Sequence, residues 1–172
     1  MPDIELDPDV LATLRALERH RVEHVLVGDA ADAIHQGGRG FVDAVAIVPS
    51  GYARNVERLA TALGALHAEL RVPGAASLTP ADLGPQSLRA VGRWTLATDH
   101  ADVAIDFEPP GTAGYVDLFA NAPRVELPGV APHVAAAEDL DRIEAATRDS
   151  APTAWPSGDP ARARGRAPAP PR

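Results

Sequence analysis

Residues 22–27 read Val22-Glu23-His24-Val25-Leu26-Val27 and stop at Gly28-Asp29, and residues 42–49 read Val42-Asp43-Ala44-Val45-Ala46-Ile47-Val48-Pro49. Both are short apolar runs, rich in β-branched side chains and closed by turn residues, which is the pattern of buried strands. Each leads into helical sequence. Residues 30–35 follow the first run. After Ser50-Gly51, a longer helix is expected over about 52–70, with Val56, Leu59, Ala60, Leu63 and Leu66 on one stripe. Upstream, Asp7 is placed as an N-cap with Pro8 at the first helical position, and Val10, Leu11, Leu14 and Leu17 recur at helical spacing. Downstream, Pro73, Pro80 and Pro85 make residues 73–92 loop-like, with a short helix near 80–83. Residues 93–98 and 103–107 read as an antiparallel pair around Asp99-His100, and residues 115–120 as a short helix. Residues 125–127 and 130–134 flank the turn Pro128-Gly129, and residues 136–148 form a last helix with Glu138 and Asp139 in its first turn. The expected class is α/β, with a mixed, partly antiparallel sheet and flanking helices, because the hairpins exclude a purely parallel doubly wound sheet.

Composition narrows the chemistry. The 172 residues contain no cysteine, which removes disulfides, thiolate zinc sites and cysteine nucleophiles together. There is no lysine either, so all 16 basic residues are arginine. Residues 1–150 carry 23 acids and 12 arginines, a charge of −11; residues 151–172 carry Asp159 and four arginines, a charge of +3. The expected organisation is one domain over 1–150 and a disordered Pro/Ala/Arg-rich tail over 151–172. A body this acidic repels phosphate polymers, so no DNA binding is expected. No apolar run reaches 18 residues, and the acidic start MPDIELDPDV lacks a secretory pattern, so a cytoplasmic protein with no membrane contact is expected. The six histidines have no metal-ligand spacing, and no serine stands in a nucleophile elbow.

One kind of chemistry suits a strand–turn–helix unit of this sort. Two aspartates at i and i+2 of a strand point to one face. With a third carboxylate from a neighbouring strand they can hold Mg²⁺ for phosphoryl transfer, while a glycine turn opening a helix offers backbone N–H groups to a triphosphate. His24-Val25-Leu26-Val27-Gly28, with Ala30 and Ala33-Ile34-His35, resembles the opening of small bacterial nucleotidyltransferases of the DNA polymerase β type, among them the AbiEii-like toxins. The resemblance continues through Ile47-Val48-Pro49, Asn55 and Glu57-Arg58-Leu59, resumes at Trp94-Thr95-Leu96 and Ile105-Asp106-Phe107, and includes Gly111-Thr112, Gly114-Tyr115, Asp117-Leu118 and Glu138-Asp139-Leu140. About 130 residues are covered, and the order and spacing of the pieces, rather than any one of them, carry the likeness.

The resemblance implies a nucleotidyltransferase-like fold, Mg²⁺ and a nucleoside triphosphate as cofactors if the site is active and none if it is degenerate, and Asp106 as the third-strand metal carboxylate. It also exposes departures. Anchored on Ile47-Val48-Pro49, the paired metal aspartates fall at Ala44 and Ala46, so that AVAIVP stands where relatives read DVDIVP. Asp43 is adjacent but of opposite parity, and it becomes a catalytic candidate only if the register slips by one residue. The alternative alignment, Asp43-Ala44-Val45 as the aspartate pair, keeps one acid and spoils the spacing to Pro49 and Asn55. Asp29 replaces the family's second glycine and suits a helix N-cap, and Glu144 replaces a usual lysine. Gly28, Asp29 and Arg39 are the nucleotide-contact candidates, and Asp106 and Asp43 the catalytic ones. Three functions follow: a nucleotidyltransferase-fold protein with an impaired site; an active enzyme moving a nucleoside monophosphate to a small molecule, RNA or protein; or a partner-binding module that meets a cognate antitoxin or another protein.

Overall fold

Strand β2 (Ala44–Pro49) is the middle strand of a five-stranded sheet in the computed structural model, which describes residues 5–38, 42–70 and 80–150. Val45 and Ile47 are fully buried, whereas Ala44 and Ala46, which alternate with them, are half-buried. The pleat therefore turns one side of the strand into the core and the other toward solvent. On one flank β2 pairs antiparallel with β1 (His24–Val27), Val27 standing opposite Ala46. On the other it pairs parallel with β4 (Asp102–Asp106), Ala46 opposite Ala104. β3 (Arg93–Leu96) lies antiparallel beyond β4, and β5 (His133–Val134) lies parallel beyond β1, giving the order β3-β4-β2-β1-β5. The mixed sheet expected from the sequence is the one observed.

The helices form for local reasons. In α1 (Pro8–Arg19) the Asp7 carboxylate accepts from the Asp9 N–H at 2.8 Å with proline at the first position, as read from the sequence. α2 (Gly28–His35) starts directly from β1 through Gly28, whose φ is +67°. Asp29 is thus inside the first turn; the N-cap residue is Val27, with no side-chain cap, which corrects the N-cap expected for Asp29. α3 (Ala53–Ala65) stops five residues before the expected 70. Its end is a Schellman motif: His67 N–H donates to Gly64 O, Ala68 N–H donates to Leu63 O, and His67 sits at φ +49°. α4 (Pro80–Val91) replaces most of the loop expected over residues 73–92. Its helix is interrupted at Gly84 (φ +49°, ψ 161°), and Pro85 then opens a second helical segment instead of ending one. Leu88 of that segment is fully buried, and its carbonyl accepts the Trp94 indole N–H at 2.8 Å. α5 (Tyr115–Phe119) and α6 (Ala137–Ser150) complete the chain of described elements. The tail expected over residues 151–172 lies outside the described residues.

Asn55 ties three of these pieces together. It is 3% exposed; its Oδ1 accepts from Glu23 N–H at 2.7 Å, and its Nδ2 donates to Glu23 O and Ser50 O at 2.9 and 2.8 Å. Asn55→Ala strands partly buried backbone groups at the mouth of β1 and the end of β2, and should cost about 3 kcal/mol in chemical denaturation. α1 ends like α3, with Arg21 at φ +57° and Val22 N–H donating to Leu17 O. A side chain in this left-handed position is strained, so Arg21→Gly and His67→Gly should each stabilise the fold by about 1 kcal/mol, measured as a raised denaturation midpoint.

Candidate functional site

The half-exposed side of β2 continues across its neighbours. Ala44 faces Asp102, Ala46 faces Ala104, and Ala104 in turn faces Thr95 of β3. Asp106 lies on this same side, two residues beyond Ala104, opposite Arg93. A shallow cleft of about 170 Å³ opens here, with Val27, Ala46, Thr95, Ala104 and Asp106 in its wall. Gly28 closes its edge: a Cβ at residue 28 would come 3.1 Å from the Ala46 Cβ, and the positive φ also favours glycine. Ala44, Ala46 and Asp106 are therefore brought to one face. Asp43 is exposed and stands one residue before β2, while the pairing runs unbroken from Ala44 to Ile47 with no bulge to re-aim it. Arg39 lies outside the described residues.

Asp106 is already occupied. Its Oδ2 accepts from Arg93 Nε at 2.8 Å and lies 2.7 Å from Arg93 Nη2, and its Oδ1 accepts from Glu108 N–H at 3.1 Å. Beside Asp106 a larger cavity of about 570 Å³ runs past Ser50, Gly92 and Gly114, with the exposed Tyr52, Val91 and Val116 along it. Among the described residues, no three acids or histidines are grouped to hold a metal ion.

The N-terminal half of α2 is acidic where a phosphate cradle needs donors. The Asp32 carboxyl is pushed up from its ordinary value, first by desolvation and then by Asp29, Glu144 and Asp141; His35 opposes this. Asp29 and the Glu144 of the expected lysine position thus act on the same neighbourhood. His35 itself is structural: its Nε2 donates to Ala135 O at 2.7 Å, fastening α2 to the segment after β5.

The remaining motif residues also hold the fold. Gly111 and Gly114 have φ of +77° and +82°, and a Cβ on either would strike, respectively, Ala146 at 2.8 Å and Phe107 O at 2.6 Å. Asp117 accepts from Ala113 N–H at 2.9 Å and meets Arg142 at 3.2 Å; Arg142 also donates to the buried Asp139 at 2.7 Å. The Ala113 N–H and then Arg142 hold the Asp117 carboxyl below the usual range, and Asp117 raises Arg142 in return. Sequence reasoning matched these acids to a motif but could not see that both converge on Arg142.

No family model and no curated protein sequence matches this chain. Its structure is similar to the crystal structure of a "putative nucleotidyltransferase" from Thermotoga maritima, with a TM-score of 0.52 and 17% identity, over 84% of this chain and 92% of that one. The fold is nucleotidyltransferase-like. At 17% identity the likeness is one of fold.

The Asp32 and Asp117 carboxyls are shifted in opposite directions from their ordinary value. The native state favours protonated Asp32, so its charge costs stability once pH rises through the carboxylate range; Asp32→Asn should stabilise the protein at neutral pH. The native state favours ionised Asp117, so that contribution is present at neutral pH and lost as pH falls through its lowered value; Asp117→Asn should destabilise. Thermal melts from pH 7 to pH 3 should show both differences shrinking toward zero in acid.

Proposed function

We propose that this chain is a nucleotidyltransferase-fold protein that does not transfer nucleotides by the two-metal route and serves instead as a binding protein. The observation that carries the reading is the face shared by Ala44, Ala46 and Asp106, in which two positions offer methyl groups and the third is held by Arg93. Mg²⁺ takes oxygen donors in near-octahedral geometry, and methyl groups supply none. Asp106 would have to leave Arg93 to serve. The residues present do not fit a two-metal site. Electrostatics point the same way: like charges about 4 Å apart at an effective dielectric near 20 repel by roughly 4 kcal/mol, so Asp29 beside a triphosphate is a strong deterrent when solvent is displaced. The resemblance to AbiEii-like toxins supports a protein partner, such as the other member of a toxin–antitoxin or phage-defence pair.

The test is direct. Incubated with each labelled nucleoside triphosphate, Mg²⁺ or Mn²⁺ and a cell extract, the protein should move no label onto any acceptor. Label transfer that disappears in Asp106→Ala would overturn the reading and support an active enzyme using Asp106 with a re-registered Asp43. In calorimetry the unaltered chain should bind Mg²⁺–ATP no better than millimolar. The variant Ala44→Asp/Ala46→Asp/Asp29→Gly should gain at least tenfold, and no gain would count against the assignment of Ala44 and Ala46.

A further inference from the structure

We propose that a second cavity, between the end of α1, the face of α3, α5 and the segment leading into β5, is a binding site for a small aromatic anion. The ligand class is a carboxylate or phosphate on a planar ring that also carries an N–H or O–H donor. The inference goes beyond the reading of the cleft at Ala46 and does not depend on it. The two places are distinct: His24 in the second cavity pairs with Pro49, at the far end of β1 from Gly28 and Ala46.

The cavity is about 610 Å³, within the range that accommodates small ligands. Its charge is unlike that of the rest of the body. Arg21, Arg58 and Arg124 line it together with Glu18 and Glu23, a local charge of +1 with neutral histidines, in a body whose residues 1–150 sum to −11. Arg124 Nη2 is ion-paired with Glu18 at 3.8 Å, while Arg21 and Arg58 have no ion pair among the described residues. Arg58 Nη1 donates to Arg21 O at 3.3 Å and Arg124 Nε to Ala131 O at 3.1 Å, which orients two guanidinium groups while leaving further N–H donors on each. Guanidinium groups held this way suit a planar or tetrahedral oxyanion.

The wall is aromatic. Phe119 stacks on Tyr115 with ring centroids 5.2 Å apart and meets His133 edge-on at 4.7 Å, and it is still 41% exposed. A ligand ring can cover that remaining surface.

His24 supplies the specific demand. It is 8% exposed and forms part of the cavity lining. Its Nδ1–H donates to Val22 O at 2.9 Å, which leaves the lone pair on Nε2, and Nε2 is buried with no hydrogen-bond partner. Burial, and then His133, lower the affinity of His24 for a proton against the opposing pull of Val22 O, so the ring is neutral and Nε2 is an acceptor. A buried acceptor left unpaired is costly, and a ligand N–H or O–H would satisfy it once a small shift of the cavity wall uncovers Nε2. Arginines for the anion, an exposed ring face for the planar group and one acceptor for the donor define the ligand class.

Calorimetry on the full chain with 4-hydroxybenzoate, anthranilate, adenosine 5′-monophosphate, adenosine and inorganic phosphate tests the proposal. At least one aromatic anion should bind ten times more tightly than phosphate and than uncharged adenosine, and which one does so separates the carboxylate from the phosphate source. Arg21→Gly, which relieves backbone strain and should fold at least as well, should weaken that binding tenfold or more; Arg124→Ala should do the same. Phe119→Ala should weaken the aromatic anions and leave phosphate unchanged. Binding no tighter than phosphate across the panel, or binding unaffected by both arginine variants, would overturn the proposal. Loss of binding in Arg93→Ala instead would move the ligand to the cleft at Asp106 and likewise overturn it.

Discussion

The burial of Val45 and Ile47 fixes everything else about β2. Each contributes about 1.5–3 kcal/mol by leaving water, and both point the same way only in the observed register. Sliding the strand by one residue would bring Asp43 to the level of the cleft, but it would also carry Val45 and Ile47 into solvent and turn Ala44 and Ala46 inward. Alanine buries far less than valine or isoleucine, so the exchange loses several kcal/mol, a large share of the stability of an ordinary domain. The same hydrophobic constraint sets the partners: with Ala46 opposite Val27 on one flank and Ala104 on the other, Asp106 can reach only this face.

That constraint explains how a scaffold can persist around a cleft poor in carboxylates. Gly111 and Gly114 permit close approaches that a Cβ would block, Asp117 and Asp139 share Arg142, and Asn55 joins β1, β2 and α3. None of these contacts involves the cleft at Ala46. The motif residues that resemble nucleotidyltransferases therefore divide into those that hold backbone together and those that hold a ligand, and the first set suffices to keep the architecture. A fold-level likeness to a Thermotoga maritima structure is what such a division predicts, since packing and caps specify the fold while the site is a small addition to it.

Much of the architecture was legible because its causes are local. Asp7-Pro8 announces α1, and the alternation in VDAVAIV gives both the strand and the face on which Ala44 and Ala46 lie. What was not legible depends on context. Gly84-Pro85 reads as a break, yet it opens a helical segment because Leu88 is buried beyond it and Trp94 donates to that residue's carbonyl. The early end of α3 turns on His67, in a conformation usually reserved for glycine, so that position carried no sequence signal. The pairing of Arg93 with Asp106 spans two strands, and the second cavity gathers Arg21, His24, Arg58, Phe119 and Arg124 from separate elements; no window of sequence shows either.

The net charge takes a different meaning once it is placed on the fold. An excess of eleven negative charges over residues 1–150 would be expected to repel anions everywhere. Screening limits that reach to about 8 Å at physiological ionic strength, so local groups decide what binds at a given place. Near α2 the neighbours of Asp32 are Asp29, Asp141 and Glu144, and the field discourages a triphosphate. At the other end of β1 the neighbours of the aromatic wall are Arg21, Arg58 and Arg124 with Glu18 and Glu23, a local charge of +1. A ligand small enough to sit within one Debye length of that end meets three arginines against Glu18 and Glu23, whereas a longer one also meets the acids around α2. Size, as much as charge, is therefore what this distribution discriminates.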